Sequence, residues 1–262
     1  MAMKRTPANI KITESLRQTF GDWKAFIHVL ATIPTNVRLL VPNIPHILHH
    51  TDACKLGAGG VITPGIQKLQ QLVWHFEWPD DIKENLVTDD NPEGSITIND
   101  LELAGMVLGW LVLEATGWDL TFKHVGLFCD NVSAVAWANK GHTSRSTIAA
   151  CLLRLLSVRQ RVRQVSSLVK KIQWHILRLG LLNLGNISWL TNITFPLIKG
   201  ESWKEIILPK RLSSRVISCL RGELCQLGSL IRISKQDKNI GIFGKHTAHN
   251  VKQIPTWTVQ TK

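Results

Sequence analysis

A helical period set between stretches of extended pattern is the feature of this chain that most limits its fold. Across residues 99–115, Leu101, Ala104, Leu108, Leu111 and Val112 share one face at three- and four-residue steps. Asp100 and Glu102 fall in the expected first turn, where negative charge suits the helix dipole. Three segments of strand character precede this helix, at residues 46–54, 61–63 and 72–78. The sequence KLGAGG between the first two reads as a hairpin turn, and the acidic, Pro- and Asn-containing stretch 79–94 as a loop. After the helix, residues 120–129 read as a strand, 133–139 as a short helix and 168–176 as a fifth strand. Between them, residues 146–164 place Ile148, Cys151, Leu152, Leu155 and Val158 on one side of a helix and Arg154, Arg159, Arg161 and Arg163 around the rest. Hairpins join antiparallel neighbours, whereas strand-helix-strand crossovers give parallel ones. The order therefore predicts an α/β fold, a mixed five-stranded sheet with flanking helices.

The ends are simpler. In residues 12–33, Leu16, Phe20, Trp23, Phe26, Ile27 and Leu30 recur at helical spacing, which predicts an amphipathic helix packed on something else. Pro34, Pro42 and Pro45 then separate it from the first strand. A further helix is expected over 213–227, and the final thirty or so residues, rich in Lys, Gly, Thr and His, read as a partly disordered tail. The chain thus divides into residues 1–44, a core domain at 45–195, and a C-terminal helix and tail at 196–262. At 262 residues and 44% hydrophobic content it is long enough for one sizeable core.

A formal charge of +12 favours polyanionic partners, nucleic acid first among them. A membrane span is not expected, because no apolar run reaches the roughly 18 residues a bilayer crossing needs. The N-terminal MAMKRTPAN is basic without a following apolar stretch, so an intracellular protein, nuclear or cytoplasmic, is expected. Five cysteines, Cys54, Cys129, Cys151, Cys219 and Cys225, are odd in number and form no C-x-x-C pair, and they read as free thiols. The N-x-S/T triplets at Asn131, Asn186 and Asn192 read as chance matches without a secretory signal.

Three acids stand at element boundaries: Asp52 in the first strand beside the glycine-rich turn, Glu102 early in the long helix, and Asp130 at the end of the fourth strand. Each alone also suits a turn, a cap or a helix N-terminus. With strand 1 beside strand 4, all three converge at one end of the sheet. Such a cluster needs cations or raised pKa values to exist. Oxygen ligands with no Cys or His partner indicate Mg²⁺ or Mn²⁺, and two such ions about 3.5–4 Å apart can clamp the attacking and leaving oxygens of a phosphodiester.

The segments H-T-D-A-C-K-L-G-A-G-G-V (50–61), I-N-D-L-E-L-A (98–104) and L-F-C-D-N-V-S-A-V-A-W (127–137) resemble, in order, the first three acidic motifs of ribonuclease H domains attached to retroelement reverse transcriptases. The resemblance covers about residues 41–165, and residues 10–45 look like the connecting segment that precedes this domain in such polyproteins. It implies a ribonuclease H-like sheet in which Asp52, Glu102 and Asp130 hold metal ions and act on the RNA strand of an RNA:DNA hybrid, beside neighbouring polyprotein domains. It also implies a fourth acid, in a motif resembling H-I-x-G-x-x-N-x-x-A-D-x-x-S-R. Here W-H-I-L-R-L-G-L-L-N-L-G-N-I-S aligns His175, Gly180 and Asn183 loosely, and Asn186 stands about where the acid belongs. An amide oxygen brings no charge, so one metal site is weakened and catalysis impaired, with Glu201 a distant substitute. By the family pattern His175 assists product departure; a His in an apolar strand is also commonly structural.

Lys140, His142, Arg145, Arg154 and the arginines that follow are candidate phosphate contacts, and a solvated basic helix face is their plainer reading. Backbone amides of the turn at 57–60, Gly57 and Gly59 included, are candidates for reaching 2′-hydroxyls across a shallow minor groove. Three rival functions stand beside the nuclease. A catalytically inactive nucleic-acid-binding remnant is motivated by Asn186. A transposase or integrase core shares the sheet but orders its acids Asp, Asp, Glu, against Asp, Glu, Asp here. A protein-interaction domain leaves the charge and the three motifs unexplained.

Overall fold

The computed structural model describes residues 12–32, 45–64, 71–143, 146–163, 165–171, 203–223 and 251–253. Its centre is a mixed α/β sheet. Strand β1 (Ile47–Ala53) turns through residues 54–56 into β2 (Gly57–Pro64), which pairs antiparallel with it and with β3 (Gln71–Glu77). Helix α2 (Asp80–Glu84) follows, then α3 (Ile98–Ala115), β4 (His124–Cys129), α4 (Val132–Lys140), α5 (Thr147–Arg163) and β5 (Ser166–Lys171). Both β4 and β5 join in parallel, as their helical crossovers require, and β4 lies directly beside β1.

Sequence and structure part at several places. Among the described residues the sheet has seven strands, in the order β5-β4-β1-β2-β3-β6-β7, not five. The additional strands, β6 (Trp203–Ile206) and β7 (Val251–Gln253), extend the β3 edge. They are only four and three residues long, too short for alternation to mark them. The expected loop at 79–94 contains α2, whose single turn packs Ile82 into the core. The expected strand at 120–129 begins only at His124, because residues 121–122 form a turn with Phe122 at φ 57°. The helix expected over 213–227 is α6 (Lys210–Leu220), closed by Gly222 at φ 74°, a value favouring glycine.

Helix α3 is the hub. Every residue from 100 to 115 is buried, so it is enclosed all round and not, as its period implied, apolar on one face. It lies on β1 and β2 and is backed by α5 and α6. Its approach to β1 is permitted by Gly109, where an added Cβ would collide with the His49 ring. His49 is itself core: its Nε2 accepts from Trp74 Nε1 at 3.2 Å, and burial holds its pKa down to about 3. The buried carboxylate of Glu114 is satisfied twice over, by Trp110 Nε1 at 2.8 Å and by Arg159 Nη2 at 2.6 Å.

Arg159 is therefore a core residue, not part of a phosphate-gripping face. The apolar residues of α1 (Glu14–Thr32) have a different fate: Phe20, Trp23, Phe26, Ile27 and Leu30 are exposed. Among the described residues no helix is long and apolar enough to cross a membrane. The four described cysteines, Cys54, Cys129, Cys151 and Cys219, are all thiols, as expected; Cys225 lies outside the described residues.

Candidate metal centre

The C-terminal ends of β1 and β4 lie side by side because the two strands run parallel. Asp52, next to last in β1, and Asp130, just beyond β4, are thereby delivered to one edge. Glu102 arrives from α3. It sits in the second turn and not the first, where the acid is Asp100. Asp100 instead secures the helix start. Its Oδ2 accepts from Thr97 N at 2.9 Å while Thr97 Oγ1 accepts from Asp100 N at 3.3 Å, closing a capping box. Its Oδ1 also accepts from Ser146 Oγ at 2.6 Å, which ties the start of α5 to the start of α3.

A second tie fixes the loop that carries Asp130. Asn131 caps α4 by accepting from Ala134 N at 2.9 Å, and its Nδ2 donates to Asn99 Oδ1 at 2.9 Å. Residues flanking both Glu102 and Asp130 are thus joined to one another, so the relative position of the two acids is set by hydrogen bonds outside the cluster.

Within the cluster, a ligand atom from each of Glu102, Cys129 and Asp130 lies within 4.8 Å of the others. Glu102 and Cys129 are buried and Asp130 is partly so. Asp52 joins through a hydrogen bond with Glu102, and Ala53 N donates to Asp52 Oδ1 at 2.9 Å. Burial, then the charge of Asp130, raises Asp52 to about 6. Burial, then the charges of Asp52 and Asp130, raises Glu102 to about 9. Near neutral pH the cation-free cluster therefore keeps a proton on Glu102, which donates it to Asp52. The Cys129 thiol, 3.6 Å from Glu102 Oε2, is pushed up by burial and by that neighbouring carboxyl.

Glu102, Cys129 and Asp130 form a buried group that can hold a metal ion. The donors fit a divalent cation on the structure's own terms: burial and then mutual repulsion raise two pKa values, and a cation offsets the repulsion. Sequence reasoning missed Cys129, expecting oxygen ligands with no Cys partner. Its signal was its position immediately before Asp130, since the last residue of a strand and the first beyond it both stand at the sheet edge.

The other candidates divide. Gly57 and Gly59 are not in a turn; both are buried in β2, a strand hydrogen-bonded on both sides, and the turn proper is residues 54–56. Lys140 is exposed in the last turn of α4. Arg154 is exposed on α5, 3.8 Å from Asp22 of α1. Arg145, His175, Gly180, Asn183, Asn186 and Glu201 lie outside the described residues. Compared with protein-family models, curated proteins and solved structures, the chain finds no match in any of the three.

Proposed function

We propose that this chain is a ribonuclease H-like domain of a retroelement reverse transcriptase, cleaving the RNA strand of RNA:DNA hybrids with Mg²⁺ or Mn²⁺. The observation that carries the reading is the meeting of Asp52, Glu102 and Asp130, each from its own acidic motif, at the ends of two adjacent parallel strands and the helix between them. A cluster that is electrostatically costly alone, yet braced from outside by Asn131 and Ser146, is suited to receive a cation.

Asp52, Glu102 and Asp130 would hold the metal as oxygen ligands, with the Cys129 thiol lying against Glu102 outside that set. Bound there, divalent cations supply charge neutralisation and a water of lowered pKa for attack on a phosphodiester. The chain's own residues do the rest. Glu102 would give up its proton on loading, the Asn131–Asn99 bond holds Asp130 in register with it, and the exposed Lys140 would meet a strand's phosphates. The formal charge of +12 supports a polyanionic partner.

A second reading, a binding remnant without catalysis, is favoured by one observation: Asn186 stands about where the family's fourth acid belongs. Incubating the protein with a labelled RNA:DNA hybrid, double-stranded RNA and double-stranded DNA in Mg²⁺ or Mn²⁺ separates the two. Cleavage confined to the RNA of the hybrid and abolished in Asp52→Asn supports the nuclease. Salt-sensitive hybrid binding with no cleavage, unrescued by Asn186→Asp, supports the remnant.

A further inference from the structure

Helices α5 and α6 meet behind α3 through an interface that contains two cysteines. Cys151, in the second turn of α5, and Cys219, in the last turn of α6, are both fully buried. Their sulfurs lie 3.1 Å apart, although the residues are 68 positions apart in sequence. Both belong to the buried core, together with Leu152 and Leu155 of α5 and Leu212 and Val216 of α6. A buried thiol alone is ordinary packing. Two sulfurs in direct contact across a helix interface are a different arrangement, since a disulfide needs about 2.05 Å and the remaining approach is about 1 Å, within the adjustment of side-chain rotation.

We propose that Cys151 and Cys219 are a redox modification site, oxidised to a disulfide that clamps α6 onto α5. The oxidant is a small peroxide, of a size able to reach buried sulfur when α6 loosens. One thiol takes an oxygen from hydrogen peroxide, becoming a sulfenic acid and releasing water; the other sulfur then displaces that oxygen as a second water, forming the S–S bond. Two thiols and one peroxide thus give one disulfide and two waters, with the two electrons lost by sulfur taken up by the peroxide.

The clamp has something to do. Besides the core contacts, the end of α6 is held by Arg221, whose Nε and Nη2 donate to Asp81 of α2 at 2.7 and 3.0 Å. That pair is exposed at both ends, and exposed ion pairs stabilise little. A covalent link near the same end closes a long loop containing β5 and β6, and restricts the unfolded chain accordingly. The other described cysteines offer no such partner: Cys54 is half-buried at the hairpin and Cys129 lies against Glu102. The inference is independent of the nuclease reading.

Peroxide treatment of the intact chain followed by non-reducing peptide mapping tests it. The expected result is a cross-linked peptide joining Cys151 to Cys219 that disappears with dithiothreitol, together with a thermal midpoint raised by roughly 5–10 °C and restored on reduction. Cys219→Ala is expected to abolish both changes; the wild-type map stands by itself where that variant folds poorly. Oxidation of Cys54 with Cys151 and Cys219 still thiols just below the unfolding temperature would overturn the proposal. So would sulfinic acid at either residue without a cross-link, or a cross-linked protein with an unchanged or lowered midpoint.

Discussion

Replacing Glu102 by Gln tests the electrostatics of the cluster without changing its shape. Burial and two neighbouring carboxylates raise this acid from 4.5 to about 9. An acid whose folded pKa lies above its unfolded value favours the fold most below the unfolded value, and that advantage is lost as pH rises through the folded one. Between pH 6 and 8 the unfolded chain carries an ionised Glu102 while the folded chain retains the proton. Each pH unit then removes about 1.4 kcal/mol, so the wild type loses about 3 kcal/mol more than Glu102→Gln over this interval. The assay is urea denaturation of each protein at pH 6, 7 and 8 in EDTA, repeated with saturating Mn²⁺. The difference in slope should appear in EDTA and vanish in Mn²⁺, where the wild type gains stability and the variant gains far less. Parallel curves for the two proteins in EDTA would refute the reasoning, because Glu102 would then be ionised in the folded state.

Three further perturbations address the scaffold. Gly109→Ala sets a methyl group against the His49 ring, and is expected to cost about 3 kcal/mol in denaturant titration. Arg159→Met strands the buried Glu114 carboxylate and is expected to cost about 3–5 kcal/mol, with part recovered on adding Glu114→Gln. Asn131→Ala removes the α4 cap at about 1 kcal/mol and also frees the Asp130 loop from Asn99, so calorimetric Mn²⁺ affinity should fall several-fold while unfolding shifts only modestly.

Much of the core and the three acids was legible in the chain. Leu101, Ala104 and Leu108 marked α3 by period, and with strand 1 set beside strand 4, Asp52 and Asp130 were expected at one edge. What failed had physical causes. A hydrophobic period shows that one helix face is buried but not that its polar exceptions are buried too, and so Arg159 read as a surface cation although it pairs with the buried Glu114. Gly57 and Gly59 read as a turn because glycine favours turns, yet in β2 they are the small residues of an inner strand. Glu102 was misplaced by one turn because the acid that serves the helix terminus is Asp100, through its bond to Thr97. Cys129 escaped notice because cysteines were weighed by spacing to one another, whereas its partners are carboxylates, one of them distant in sequence.

Three acids acting together on divalent ions to cut an RNA strand is the central claim, and the most direct test joins occupancy to chemistry. Mn²⁺ binding followed by electron paramagnetic resonance should be compared with the rate of RNA cleavage in an RNA:DNA hybrid across the same titration, for wild type and for Asp130→Asn. Cleavage is expected to rise with bound Mn²⁺, to stop in EDTA, and to be lost together with tight binding in the variant. Cleavage that persists in EDTA, or that is undiminished in Asp130→Asn, would contradict the claim.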